Sequence, residues 1–317
     1  MGIRGLAGFL KWRVASARRA AVLTGRSGQR WAIDCSCLMY RARGAGLPIL
    51  GVIAGLIVRL RGAGIEPVFV FDGRPPVVKS PVTERRREER AIARAEVAAA
   101  AAAIAEKPDM SETERVDHEI RAAEATARAP TVGRTDRDRL KQFLYAAGVL
   151  FVTPHGEADD LLALLARSGA VSAVVSTDMD MLARGVECLV VPEVADASVL
   201  TEFSLAAVLA GLRLTYRQFV DACALMGSDY SVAGGARYEP AVAVEAARRG
   251  VWDISGADFD VGTGLLRGDS VTLESLLAEN QLEKWAAGAP ARELEALATF
   301  CDEEDWPAPW RSVLLRA

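Results

Sequence analysis

Aspartates stand at the ends of successive apolar runs in this chain, and that placement limits what it can fold into. Trp31-Ala32-Ile33 runs into Asp34, and Pro67-Val68-Phe69-Val70-Phe71 runs into Asp72-Gly73. A third run, Ala170 to Ser176 with Val171, Val174 and Val175, is followed by Asp178 and Asp180, and a fourth is Cys188 to Val191. Helical segments separate the runs, so the pattern predicts βαβ units and a mostly parallel sheet. Ligands of such sheets bind beyond the carboxyl ends of the strands. Asp34, Asp72, Asp178 and Asp180 are expected there together. Gly156-Glu157-Ala158-Asp159-Asp160 precedes a predicted helix over Asp160–Ser168, whose first turn should meet the same edge. A plainer reading of Glu157 and Asp159 is that they only complement a helix dipole.

Between Gly156 and Asp180 the one basic residue is Arg167. Several carboxylates gathered with so little neutralisation are costly unless cations share the site. Oxygen donors without histidine or cysteine point to Mg²⁺ or Mn²⁺ rather than zinc. Carboxylates delivered by four separate elements suit two-metal phosphoryl transfer, in which paired cations activate water and stabilise the leaving oxygen. Only His118 and His155 are present, so imidazole chemistry is a poor expectation.

Composition sets the remaining bounds. The 317 residues suffice for one large or two modest domains with an ample core. With 51% hydrophobic and 25% charged residues, the chain reads as an ordinary globular protein. It has no uninterrupted apolar stretch of membrane-spanning length, and no membrane partner is expected. Its start lacks a signal-peptide hydrophobic region, and Leu6 breaks a myristoylation motif. Cys35, Cys37, Cys188, Cys223 and Cys301 form no zinc spacing, and their odd number makes a poor disulfide framework. Cys35 and Cys37, read as strand residues, would share one face in a packing role. A reducing, intracellular location is expected. Net charge is −4, yet residues 1–30 hold seven Lys or Arg and no acid, and residues 74–94 hold seven against three Glu. The last fifty residues reverse this, with ten acids and four bases. Such segregation suits a polyanion-binding face on an acidic protein.

Between Asp72 and Phe143 the pattern changes. Val82 to Lys107, with Ala98–Ala103 unbroken, predicts one long helix that Pro108 ends. Ser111 and Glu114 form a capping box for a second helix running to about Arg128. This pair is either a merely soluble insertion or a basic cap over the sheet edge, with Lys79 and Arg86 on one side. Further helices are expected over Ile49–Leu60, Tyr216–Gly227 and Ala241–Arg249. Beyond Gly250 the sequence is nearly silent on its role.

These motifs resemble the flap endonuclease/XPG (Rad2-like) family of structure-specific 5′ nucleases over roughly residues 1–250. The residues that carry the likeness are Met1-Gly2-Ile3-Arg4-Gly5-Leu6, Ala32-Ile33-Asp34 with Tyr40, and Val70-Phe71-Asp72-Gly73-Arg74-Pro75-Pro76 with Lys79-Ser80. Glu157-Ala158-Asp159, Thr177-Asp178-Met179-Asp180 and Gly227-Ser228-Asp229-Tyr230 complete the set. The resemblance implies an α/β fold of PIN/5′-nuclease type, a mostly parallel sheet flanked by helices. Residues 1–230 would form the nuclease core and 231–317 a helical C-terminal region. A helical arch over about 80–130 would admit a single-stranded 5′ end. Two Mg²⁺ ions, replaceable by Mn²⁺, would be held by Asp34, Asp72, Glu157, Asp159, Asp178, Asp180 and Asp229. The adjacent Asp160 resembles a variant in which a further carboxylate assists. Lys79 and Arg86 would meet the scissile phosphate with Arg85 beside them, Tyr40 would stack on a base, and Gly2 would lie near the active site.

One departure stands out. Where the family has a Gly-x-Gly hairpin around potassium, this chain has Ser231-Val232-Ala233-Gly234-Gly235-Ala236-Arg237-Tyr238-Glu239-Pro240, with the register lost. A K⁺ site and the grip on duplex therefore do not carry over directly. No sliding-clamp peptide or basic tail is visible. Compact viral members share such losses, so the expected location is the nucleus or, for a viral protein, a cytoplasmic replication site.

The expected activity is Mg²⁺-dependent cutting of 5′ flaps and branched DNA, endonucleolytic and 5′→3′ exonucleolytic, in replication, repair or recombination. Two other readings stay open. One is a junction-binding or recruiting protein on the same fold, with a protein partner at the C-terminal region. The other is a PIN-type ribonuclease.

Overall fold

In a computed structural model of the chain, the described residues are 3–74, 80–192, 199–227, 238–250, 294–304, 306, 310, 311 and 314. The chain opens with α1 (Leu6–Arg13) and an edge strand β1 (Arg18–Ala20). β2 (Arg30–Asp34) leads directly into α2 (Cys35–Gly44), and α3 (Ile49–Gly62) precedes β3 (Glu66–Val70). The long α4 (Ser80–Glu106) and α5 (Glu112–Arg128) follow, then α6 (Arg134–Ala146) and β4 (Leu150–Val152). α7 (Ala158–Arg167), β5 (Ala173–Val175), the short α8 (Asp180–Ala183), β6 (Cys188–Pro192) and β7 (Leu200–Ser204) come next. The last described helices are α9 (Leu205–Leu212), α10 (Tyr216–Met226), α11 (Pro240–Arg249) and α12 (Leu294–Glu303).

The seven strands form one sheet in the order β1-β7-β6-β5-β2-β3-β4. The β6-β5-β2-β3-β4 portion is parallel throughout, as the sequence pattern predicts, while β7 and β1 join antiparallel at one edge. Both faces of the sheet are covered, which is why its strands read as nearly continuous apolar runs. Alternate residues serve opposite cores. Ala32, Val70, Val174 and Leu189 face the core of α1, α7, α9, α10 and α11, whereas Ile33, Phe69, Val175 and Val190 face that of α2, α3, α6 and α12.

Several expected boundaries shift. β3 ends at Val70, although the Phe71 amide still donates to the Val152 carbonyl at 2.9 Å. The third expected strand begins only at Ala173, because Val171 N bonds back to Leu165 O at 3.1 Å and is used to close α7. α7 itself begins at Ala158, two residues before the expected start, with Glu157 at its N-cap position. Cys35 and Cys37 are helical rather than strand residues, because the Asp34 side chain accepts the Cys37 amide and caps α2. They therefore part company: Cys35 enters the core, and Cys37 lies beside Ser176.

α4 and α5 pair through Ala93, Ala125 and Ala129 and an Arg128–Glu96 ion pair, and the Ser111/Glu114 capping box forms as expected. At the other end of the chain, Leu297, Cys301, Trp306 and Leu314 are buried against α6. Trp306 stands edge-on to Phe143 at 5.2 Å, and Arg139 pairs with Glu303 and Glu304 at 2.8 and 3.1 Å. Part of the acidic terminal segment is thus a core plug. The expected division near residue 230 and residues 231–237 of the altered hairpin lie outside the described residues, while Pro240 at the end of that stretch opens α11.

Candidate functional site

The carboxyl ends of β2, β3 and β5 lie side by side, and the acidic residues predicted there meet in a chain of hydrogen bonds. Asp34, at 3% exposure, accepts the Cys37 amide at 3.0 Å on one oxygen and the Ser176 hydroxyl at 2.9 Å on the other. The same hydroxyl accepts the Asp178 amide at 3.1 Å. Asp178 accepts the Asp180 amide at 3.0 Å, and Asp180 accepts the Ile3 amide at 2.5 Å. On the other side, Asp72 accepts the Ala158 amide at the start of α7 at 3.0 Å. Glu157 and Asp159 flank that amide in sequence.

Close backbone approach sets the α7 end of the site. Gly73 N donates to Gly156 O at 2.9 Å, and Arg74 N donates to His155 O at 3.0 Å. A Cβ at Gly73 would stand 2.0 Å from the Pro154 carbonyl oxygen and 2.6 Å from that of Gly156. No side chain fits, so glycine lets the Asp72 loop lie directly against the loop before α7.

The electrostatics agree with the crowding. Burial pushes the Asp34 carboxyl up to about 6, neighbouring Asp72 adds to the rise, and the bonds from Cys37 and Ser176 oppose it. Burial also raises the Cys37 thiol well above its ordinary value, with the charges of Asp34 and Asp178 next in weight. The donors on offer at this edge are mainly carboxylate oxygens, the set that Mg²⁺ and Mn²⁺ take. Among the described residues no three Asp, Glu, His or Cys side chains close around one point.

Two cations belong here that sequence reading misplaced or missed. Arg184, 3% exposed just beyond α8, reaches Asp160 at 2.5 Å and Asp159 at 3.9 Å. Asp160, more than half exposed, is thus engaged by an arginine on the flank of the site. Its signal in sequence was slight: a lone arginine four residues after Asp180. Arg90 of α4 donates to the Tyr40 hydroxyl at 3.0 Å, and its guanidinium lies 5.8 Å from the ring centroid. Tyr40 therefore holds the long helical pair to α2. Arg85 sits on the exposed side of α4 beside Glu89, and Arg86 is half-buried, its carbonyl accepting from Arg90. Gly2, Lys79 and Asp229 lie outside the described residues.

The chain matches the XPG N-terminal domain over residues 49–93 and the XPG I-region over residues 148–229. It is 34% identical over 245 residues to Flap endonuclease 1 of Mus musculus, with 73% of this chain and 61% of that protein covered. The chain thus spans about three fifths of the length of the curated relatives it matches. In fold it resembles flap endonuclease-1 from Methanococcus jannaschii, with a TM-score of 0.60, 20% identity and coverage of 99% and 96% of the two chains. It also resembles the Holliday junction-resolving enzyme GEN1 in complex with product DNA and Mg²⁺, with a TM-score of 0.57, 16% identity and coverage of 94% and 72%. By these matched regions and this level of identity, the chain belongs to the XPG/Rad2 flap endonuclease family.

Proposed function

We propose that the protein is a divalent-metal-dependent nuclease that cuts branched DNA at or near a 5′ single strand. The observation that supports it most is the bonded series Asp72–α7 and Asp34–Ser176–Asp178–Asp180–Ile3, gathered at one sheet edge from elements far apart in sequence. Asp34 is buried next to Asp72, and a cation placed there would relieve the charge of both. The family match and the DNA and Mg²⁺ named for the GEN1 structure support the substrate and the ion class.

Two Mg²⁺ ions would be held by Asp34, Asp72, Glu157, Asp159, Asp178, Asp180 and Asp229. When bound, they supply an activated water and charge stabilisation at the leaving oxygen. The chain's own groups orient these carboxylates: Ser176 fixes Asp34, the Asp180 amide fixes Asp178, and the Ala158 amide fixes Asp72. Lys79 and Arg86 are the proposed contacts to the scissile phosphate, with Arg85 beside them, and Gly2 is proposed to act near the active site. Tyr40 offers a ring for a terminal base. In this reading α4 and α5 are the arch, and 5′ flaps are the preferred substrate.

The test is cleavage of a labelled 5′-flap duplex in Mg²⁺ and in EDTA, beside blunt duplex. Wild type should cut near the branch only with the metal, and Asp178→Ala should not. Equal cutting by Asp178→Ala would remove the metal assignment.

A further inference from the structure

Trp12 is 80% exposed, an unusual place for an indole in a chain with so well-filled a core. It lies on α1 at the rim of a groove of about 450 Å³, lined by Phe9, Trp12, Arg13, Leu212, Val244 and Arg248. The rim is cationic. Lys11 places its ammonium 5.9 Å from the Trp12 ring centroid, and Arg13 has no carboxylate partner among the described residues. The carboxylate in the lining, Glu245, is held by both Arg248 and Arg249. The helix that carries Trp12 also begins near the carboxylate site. α1 starts three residues after Ile3, whose amide is bonded to Asp180, and Trp12 lies about 9 Å along the helix from Leu6.

We infer that this groove binds an unpaired stretch of DNA, with one base on the Trp12 face and its phosphates at Lys11 and Arg13. A flat aromatic beside guanidinium and ammonium groups is how proteins hold single strands without regard to sequence. Duplex is a poor occupant, because its base faces are covered. The cationic rim suits a polyanion, and under the nuclease reading that polyanion is DNA. The choice of DNA rests on the nuclease reading, while the groove lies outside the metal and arch residues.

The test is anisotropy titration of a labelled duplex bearing a single-stranded arm, and of the same duplex blunt, in Ca²⁺ so that binding is read without turnover. Trp12→Ala should weaken the armed duplex roughly five- to a hundredfold and leave the blunt one within about twofold, and Trp12→Phe should recover most of the loss. Arg13→Gln should lower the salt dependence of armed-duplex binding by about 0.7 in slope. Equal loss on both duplexes, or no loss on either, overturns the inference. So does a polyglutamate peptide whose binding is lost in Trp12→Ala while the armed duplex still binds, since that assigns the groove to an acidic protein segment. Cleavage by Asp178→Ala bears on the nuclease reading alone, so the two can fail separately.

Discussion

The Ser176 hydroxyl donates to the Asp34 carboxylate at 2.9 Å while accepting the Asp178 amide at 3.1 Å, so one small side chain ties the Asp34 carboxylate to the backbone of Asp178. Ser176→Ala removes a bond to a buried charge, which is worth about 1–3 kcal/mol. The expected result is a loss of thermal stability of several degrees, together with weaker Mg²⁺ activation of flap cleavage. Ser176→Thr keeps the hydroxyl and should retain more of both. Melting curves and Mg²⁺ titrations of the two variants check this.

Asp34→Asn should separate stability from activity. Asparagine keeps acceptors and donors for Cys37 and Ser176 but carries no charge to bury. Metal-free Asp34→Asn should melt higher than wild type at pH 8, while its Mg²⁺-dependent cleavage falls by about a thousandfold or more. Active sites give up stability in this way. A variant that melts lower at pH 8 would contradict the account of Asp34.

The pH dependence follows from the same residue. Asp34 ionises near 6 in the fold against an ordinary value of 3.8, so the folded metal-free protein binds its proton more tightly than the unfolded chain does. That advantage is fully present below 3.8 and is lost as pH rises through about 6. The gap corresponds to on the order of 3 kcal/mol. Saturating Mg²⁺ should therefore raise the melting temperature more at pH 8 than at pH 5, and the difference should shrink in Asp34→Asn. Differential scanning fluorimetry at the two pH values, with and without Mg²⁺, reads it directly.

Gly73→Ala tests the close approach that places Asp72 against α7. The added methyl meets the carbonyl oxygens of Pro154, His155 and Gly156 and must push two loops apart. A destabilisation of about 1–3 kcal/mol is expected from such overpacking. Flap cleavage should drop by more than tenfold, since small misplacements of positioned groups are expensive. Unchanged kinetics would show that the loop contact does not set Asp72.

Sequence alone determined the parallel centre of the sheet and the edge at which the acids collect. Strand period, helix spacing and the residue after each apolar run are local properties, and Asp34, Asp72 and Asp178 can be placed from them. The Ser111/Glu114 box and the α10 boundaries were legible for the same reason. Tertiary structure decided the rest, because it depends on partners distant in sequence. β1 and β7 are short antiparallel additions that gain their sense only from pairing with each other and with β6. Arg184 reaches the α7 acids because the chain leaving α8 brings it across, and Tyr40 meets Arg90 only because α4 returns over α2. Side-chain burial, the quantity that lifts Asp34 above its ordinary acidity, comes into being only when both faces of the sheet are covered.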